Sequence, residues 1–206
     1  PPHKVFLGEY LIGKTPVTNA QYKKFIEAGG YEKKEYWSNE GWNWRSREKR
    51  TQPNYWDDKE WNTPTHPIVG VSWYEAKAFC KWANCRLPSE AEWEKAARGE
   101  NSTIFPWGNQ PPSPELARFH QTWTQETKHQ VLVPVNALEA GKSAYGVYNM
   151  AGNVKEWVDD WYDHEYYKEQ SEYANPEGPI GGEFKVIRGG SWRDMKGFIY
   201  SSFRNS

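Results

Sequence analysis

Residues 146–157, Gly-Val-Tyr-Asn-Met-Ala-Gly-Asn-Val-Lys-Glu-Trp, constrain this chain more than any other stretch. Glycine and asparagine tolerate a left-handed backbone, so Gly146, Asn149, Gly152 and Asn153 predict a tight turn. An alternating run follows, with Val154, Glu156 and Val158 on one side of a strand and Lys155 and Trp157 on the other. Side-chain oxygens of Asn149 and Glu156, together with carbonyls freed by the turn, suit a hard cation such as Ca²⁺. The same residues also suit an ordinary glycine turn with a hydrogen-bonded Asn and a strand carboxylate.

Few long periodic elements surround that stretch. Residues 5–11 read as a first strand, and Thr18 caps a helix from Asn19 to Glu27 that Gly29-Gly30 closes. Residues 31–63 carry Tyr36, Trp37, Trp42, Trp44, Tyr55, Trp56 and Trp61 without a period, which predicts an extended loop region. Its aromatics either pack onto their own domain or wall a binding surface. Residues 67–71 read as a short strand entering a helix capped by Ser72 and Glu75, with Ala76, Phe79, Cys80 and Ala83 on one face. Ser89 and Glu92 make a second capping box for a helix from Glu90 to Arg98 ending at Gly99. Capping accounts for Glu92, and a solvated face for Glu90 and Glu94. Residues 105–109 form a turn, 110–130 are irregular, and 131–135 read as a strand. Residues 161–182 form a second aromatic loop, and 184–188 a strand running into Gly189-Gly190-Ser191-Trp192.

A chain of 206 residues fits one domain of ordinary size. Its 13 Trp and 13 Tyr let a loop-rich fold bury area with few regular elements. A formal charge of −1 gives no global signal for nucleic acid or an anionic membrane. No apolar run is long enough to span a bilayer, no leader pattern stands at Pro1-Pro2-His3, and two cysteines make no disulfide framework. A cytoplasmic location without nucleic-acid or membrane partners is the expectation.

Five ordered motifs carry a resemblance that covers nearly the whole chain. They are Pro16-Val17-Thr18-Asn19, residues 85–99 (Cys-Arg-Leu-Pro-Ser-Glu-Ala-Glu-Trp-Glu-Lys-Ala-Ala-Arg-Gly), residues 105–109, residues 149–157 and Arg188-Gly189-Gly190-Ser191-Trp192. The chain resembles the formylglycine-generating-enzyme, or sulfatase-modifying-factor, family. That resemblance implies an α+β, loop-rich, C-type-lectin-like fold over residues 1–206, without the family's last strand, which carries Gly-Phe-Arg. It implies a structural Ca²⁺ held by Asn149, Glu156 and the carbonyls of Gly152 and Val154. A second Ca²⁺ site of the family has Thr127 and Arg118 at its ligand positions and is expected to be lost.

The family's enzymes oxidise a sulfatase cysteine with copper held by two cysteines after the Gly-Gly-Ser turn. The matching positions here are Asp194 and Ile199, neither of which is a thiolate, so copper is not expected. Cys80 and Cys85 are too loosely spaced to replace them, and the five histidines show no metal-ligand spacing. Other branches use the fold for display, among them the variable proteins of diversity-generating retroelements, which bind ligand through the surface after this turn. Here that surface is expected to be Trp192, Arg193, Asp194, Lys196, Phe198 and Tyr200, walled by Trp42 and Trp44, and to take a protein or a small molecule. The alternative is an oxidase of the family acting on a cysteine of a sulfatase or another protein.

Overall fold

Three short helices owe their starts to reciprocal caps. Thr18 with Gln21, Ser72 with Glu75, and Ser89 with Glu92 each close a capping box at the heads of α1 (Asn19–Glu27), α3 (Trp73–Trp82) and α4 (Glu90–Arg98). The structure, a computed structural model, describes residues 4–168 and 172–206. Pro1-Pro2-His3 and positions 169–171 of the second aromatic loop lie outside the described residues. The chain divides into two units, one of Pro16–Leu87 with Trp123–Val135, the other of Pro1–Thr15, Pro88–Thr122 and Asn136–Ser206.

The first unit is helical with an aromatic core. Tyr22 stacks on Phe79 at 5.2 Å and 14°, and Phe25 meets both rings edge-on. Buried Glu75 accepts the Tyr31 hydroxyl at 2.6 Å while capping Ser72 N–H at 2.7 Å, so its carboxylate is hydrogen-bonded on both oxygens. Residues 31–63 are not a loop throughout: α2 (Asn39–Arg47) forms there, with Ser38 accepting the Gly41 N–H. Its Trp44 leans on Tyr74 of α3 at 5.6 Å, so tertiary packing stabilises a helix whose own pattern is weak. The buried positions of α3 are Glu75, Ala78 and Phe79; Ala76 and Cys80 are half-buried and Ala83 is exposed, which corrects the expected face. Residues 67–71 and 131–135 do not form strands. Pro67 makes only an isolated bridge to Thr18, and Val131, Leu132 and Val135 are buried as an irregular segment held by Val135 N–H to Thr65 O.

The second unit carries the sheets. Strand β1 (Lys4–Phe6), shorter than the expected 5–11, pairs in parallel with β3 (Glu172–Ala174). Strands β2 (Glu156–Trp161) and β4 (Lys185–Arg188) pair antiparallel, Glu156 opposite Arg188, with an irregularity before Trp161 opposite Lys185. One face of β2 and β4 buries Val158 and Val186 against Trp93, Ala96 and Ala97 of α4, together with Val147 and Met150. Glu90 and Glu94 are not solvated as expected. Arg204 grips Glu90 with two hydrogen bonds of 2.7 and 2.9 Å, and buried Arg188 reaches both carboxylates. Burying one member of such a pair without the other costs several kcal/mol, which is why these charges sit together. Among the described residues no helix is long and apolar enough to cross a membrane.

Candidate functional site

Two turns of the second unit lock together. In the first, Asn149, Gly152 and Asn153 all take left-handed backbone, as the Gly/Asn content predicts. A Cβ on Gly152 would lie 2.2 Å from the carbonyl oxygen of Arg118, so glycine alone fits. In the second, Gly189 and Gly190 have φ of 86° and 68° and turn the chain out of β4. Gly152 N–H donates to Gly189 O at 2.8 Å, and Trp192 N–H donates to Asn153 O at 2.9 Å.

The first turn delivers Glu156 to the start of β2, where its carboxylate accepts Trp93 Nε1–H at 2.6 Å. Burial pushes its pKa up to about 7, against the pull of that hydrogen bond. No Lys or Arg of the described residues pairs with it. The carbonyls of Gly152 and Val154 accept no hydrogen bond among the described residues. The donor types of this stretch, a carboxylate pushed toward neutrality, two carbonyls that accept no hydrogen bond among the described residues and the Asn149 amide, fit an oxygen-ligated cation, whose charge would return Glu156 to its ionised form. Among the described residues no three His, Cys, Asp or Glu side chains gather as a metal cluster, so such a site would rest on one carboxylate and neutral oxygens.

Beyond the second turn the chain is pinned at intervals. Asp194 Oδ2 accepts Ser191 N–H at 2.9 Å and its hydroxyl at 2.8 Å, and Lys155 Nζ stands 3.8 Å from the same oxygen. His120 and Gln121 donate backbone N–H groups to the carbonyls of Asp194 and Trp192. Ile199 is 0% exposed, packed with Phe105, Ala117 and Ala151. Between these anchors Arg193, Lys196 and Phe198 are exposed, as expected for a display surface, while Trp192 is half-buried. Tyr200 instead turns inward onto Phe105 at 5.1 Å and supports the segment from behind. Trp42 and Trp44 belong to the other unit and pack within it, against Arg45 at 5.0 Å and Tyr74 at 5.6 Å respectively. Lys155 beside Asp194 and the exposed Met195 were not among the surface residues expected from the sequence. Lys155 could have been found from its place opposite Glu156 in the alternation, but Met195 had no signal beyond the segment itself.

Residues 1–206 match the sulfatase-modifying factor enzyme 1-like domain, and the chain belongs to that family. It is 35% identical over 226 residues to the hercynine oxygenase of Mycolicibacterium smegmatis, covering 100% of this chain and 51% of that protein. It is 31% identical over 238 residues to the formylglycine-generating enzyme of Bos taurus, covering 97% of this chain and 61% of that one. The chain therefore spans about half the length of the hercynine oxygenase and under two thirds of the bovine enzyme. The fold is that of Treponema denticola variable protein 1, with a TM-score of 0.67 at 22% identity over 98% of this chain and 80% of that one. These relatives bear out the family resemblance and the α+β, loop-rich, C-type-lectin-like fold.

Proposed function

We propose that the chain is a non-catalytic ligand-binding module of this family, presenting residues 193–198 in the manner of a variable protein. One observation carries the reading. At the two positions where the family's oxidases are expected to hold copper thiolates, Asp194 is engaged with Ser191 and Ile199 is core, while the residues between them are exposed. A thiolate pair poised for Cu(I) needs soft ligands on an accessible surface, and a buried aliphatic side chain offers neither.

The first turn is proposed to hold a structural Ca²⁺ through Asn149, Glu156 and the carbonyls of Gly152 and Val154. The ion would balance the charge of ionised Glu156 and stiffen the turn that hydrogen-bonds to Gly189 and Trp192 behind the presented segment. The proposed ligand is a protein or a small molecule, with neither nucleic acid nor membrane as partner.

The names of the relatives favour a second reading, an oxidase or oxygenase of the family. Metal analysis and a substrate test separate the two. Protein incubated with copper, oxygen and a sulfatase-type cysteine peptide should leave the peptide mass unchanged, with calcium as the bound metal. Stoichiometric copper or iron together with oxygen consumption would overturn the binding reading.

A further inference from the structure

Charge on the presented segment is unevenly committed. Asp194 is its sole carboxylate, and two Ser191 hydrogen bonds and Lys155 already hold that oxygen. Arg193 and Lys196 are exposed, and among the described residues neither has an ion-pair partner. With Lys155, whose side chain is 38% exposed, three cations therefore share one engaged anion. The chain as a whole carries −1, so this excess is local rather than part of a general field.

Apolar surface stands between those cations. Met195 is 59% exposed and Phe198 41% exposed. Phe198 is held edge-on against Phe203 at 5.1 Å, so the ring is positioned by contact without being buried. A notch of about 10 Å³ beside it has apolar walls from Ile187, Phe198 and Phe203, with Lys155, Arg188, Asp194 and Asn205 also lining it. The backing is rigid. Gly190 packs so closely that a Cβ there would lie 2.6 Å from Phe198 O, and Asn205 exchanges both backbone hydrogen bonds with Ile187. A face ordered in advance loses less entropy on binding.

We infer that this face takes an acidic polypeptide segment bearing an apolar side chain, a step that rests on the binding-module reading. The apolar side chain seats on Met195 and Phe198 over the notch, and flanking carboxylates meet Arg193, Lys196 and Lys155. An aromatic anchor next to an arginine is the usual energetic centre of an interface. Exposed cations at its rim accelerate encounter and make binding salt-dependent. Three cations are few for a phosphate backbone, where affinity grows with each neutralised phosphate, and this favours a peptide over nucleic acid.

The test is selection of short random peptides displayed on phage against the full chain in calcium-containing buffer. Enriched peptides are then made synthetically and measured on the parent chain, on an Arg193→Ser/Lys196→Ser/Phe198→Ser variant and on an Arg193→Glu/Lys196→Glu variant. The expected peptides are rich in Asp and Glu around a Leu, Phe or Trp, and lose at least about tenfold in affinity on the first variant and in raised salt. The charge-reversed variant, which keeps Phe198, should enrich basic peptides instead, and it carries the test should the triple variant fail to fold. Peptides that need the face but show no acidic excess overturn this inference and leave the binding-module reading standing. Selections in which no enriched peptide depends on the face overturn both.

Discussion

Asp160 gives the sharpest test of how burial governs an ionisable group in this fold. It lies buried on β2, where Oδ2 accepts the Glu90 N–H at 2.7 Å and Oδ1 is buried without a hydrogen-bond partner among the described residues. Burial is the main cause that raises its pKa from 3.8 to about 7, with Glu90 and Asp159 adding repulsion and the Glu90 N–H opposing. Tyr167 also feels the Asp160 charge, and Glu90 itself is held by Arg204. A carboxyl whose folded pKa is raised destabilises the fold once the pH is high enough for the unfolded chain to ionise it. The penalty is absent below 3.8, grows as pH rises, and is complete above about 7. At about 1.4 kcal/mol for each pH step, it reaches about 4 kcal/mol at pH 8. Asp160→Asn removes the ionisation and keeps an acceptor for Glu90. It also places an unpartnered NH₂ where Oδ1 now lies, at about 1–3 kcal/mol at every pH. The variant should therefore be less stable than the parent at pH 4 and more stable at pH 8, by about 1–3 kcal/mol each way. Urea unfolding of both proteins at the two pH values measures this. A difference of the same sign and size at both would refute the reasoning, because Asp160 would then ionise freely in the folded chain.

Chelation of calcium-loaded protein should lower the melting temperature, since an ion bound only by the folded state stabilises it by mass action; Glu156→Gln should abolish the response, and an unchanged melting curve in the parent would remove the calcium site. Ile199→Ala should cost about 2–5 kcal/mol in denaturant unfolding because the side chain is fully enclosed, whereas Arg193→Ser with Lys196→Ser should stay within about 0.5 kcal/mol per site; a large loss in the second pair would place the segment in the core. Gly190→Ala should destabilise by at least about 1–2 kcal/mol from its left-handed backbone alone and reduce peptide binding by displacing Phe198, and full binding in a folded Gly190→Ala protein would contradict that coupling.

What the amino-acid order determined by itself lies within a few residues of each signal. The boxes at Ser72 and Ser89, the cap at Thr18 and the left-handed turn at Asn149, Gly152 and Asn153 pair groups three or four positions apart, so residue type decides them locally. The strand from Glu156 was legible from its alternation, whereas the exposed surface of Arg193, Lys196 and Phe198 was expected from the family resemblance. Tertiary structure alone decided the rest. Trp42 and Trp44 stand two apart, a spacing with no helical face, and α2 forms because Trp44 finds Tyr74 of α3. Residues 131–135 look like a strand, but the described structure forms none there, and Val131, Leu132 and Val135 are buried in an irregular segment instead. Glu90 and Glu94 read as solvated helix positions until Arg204 and Arg188 arrive from 114 and 94 residues away. Tyr200 turned inward because Phe105 offered it a ring to pack on. Burial and charge pairing depend on what the rest of the chain brings alongside, and a local pattern carries no record of a partner a hundred residues distant.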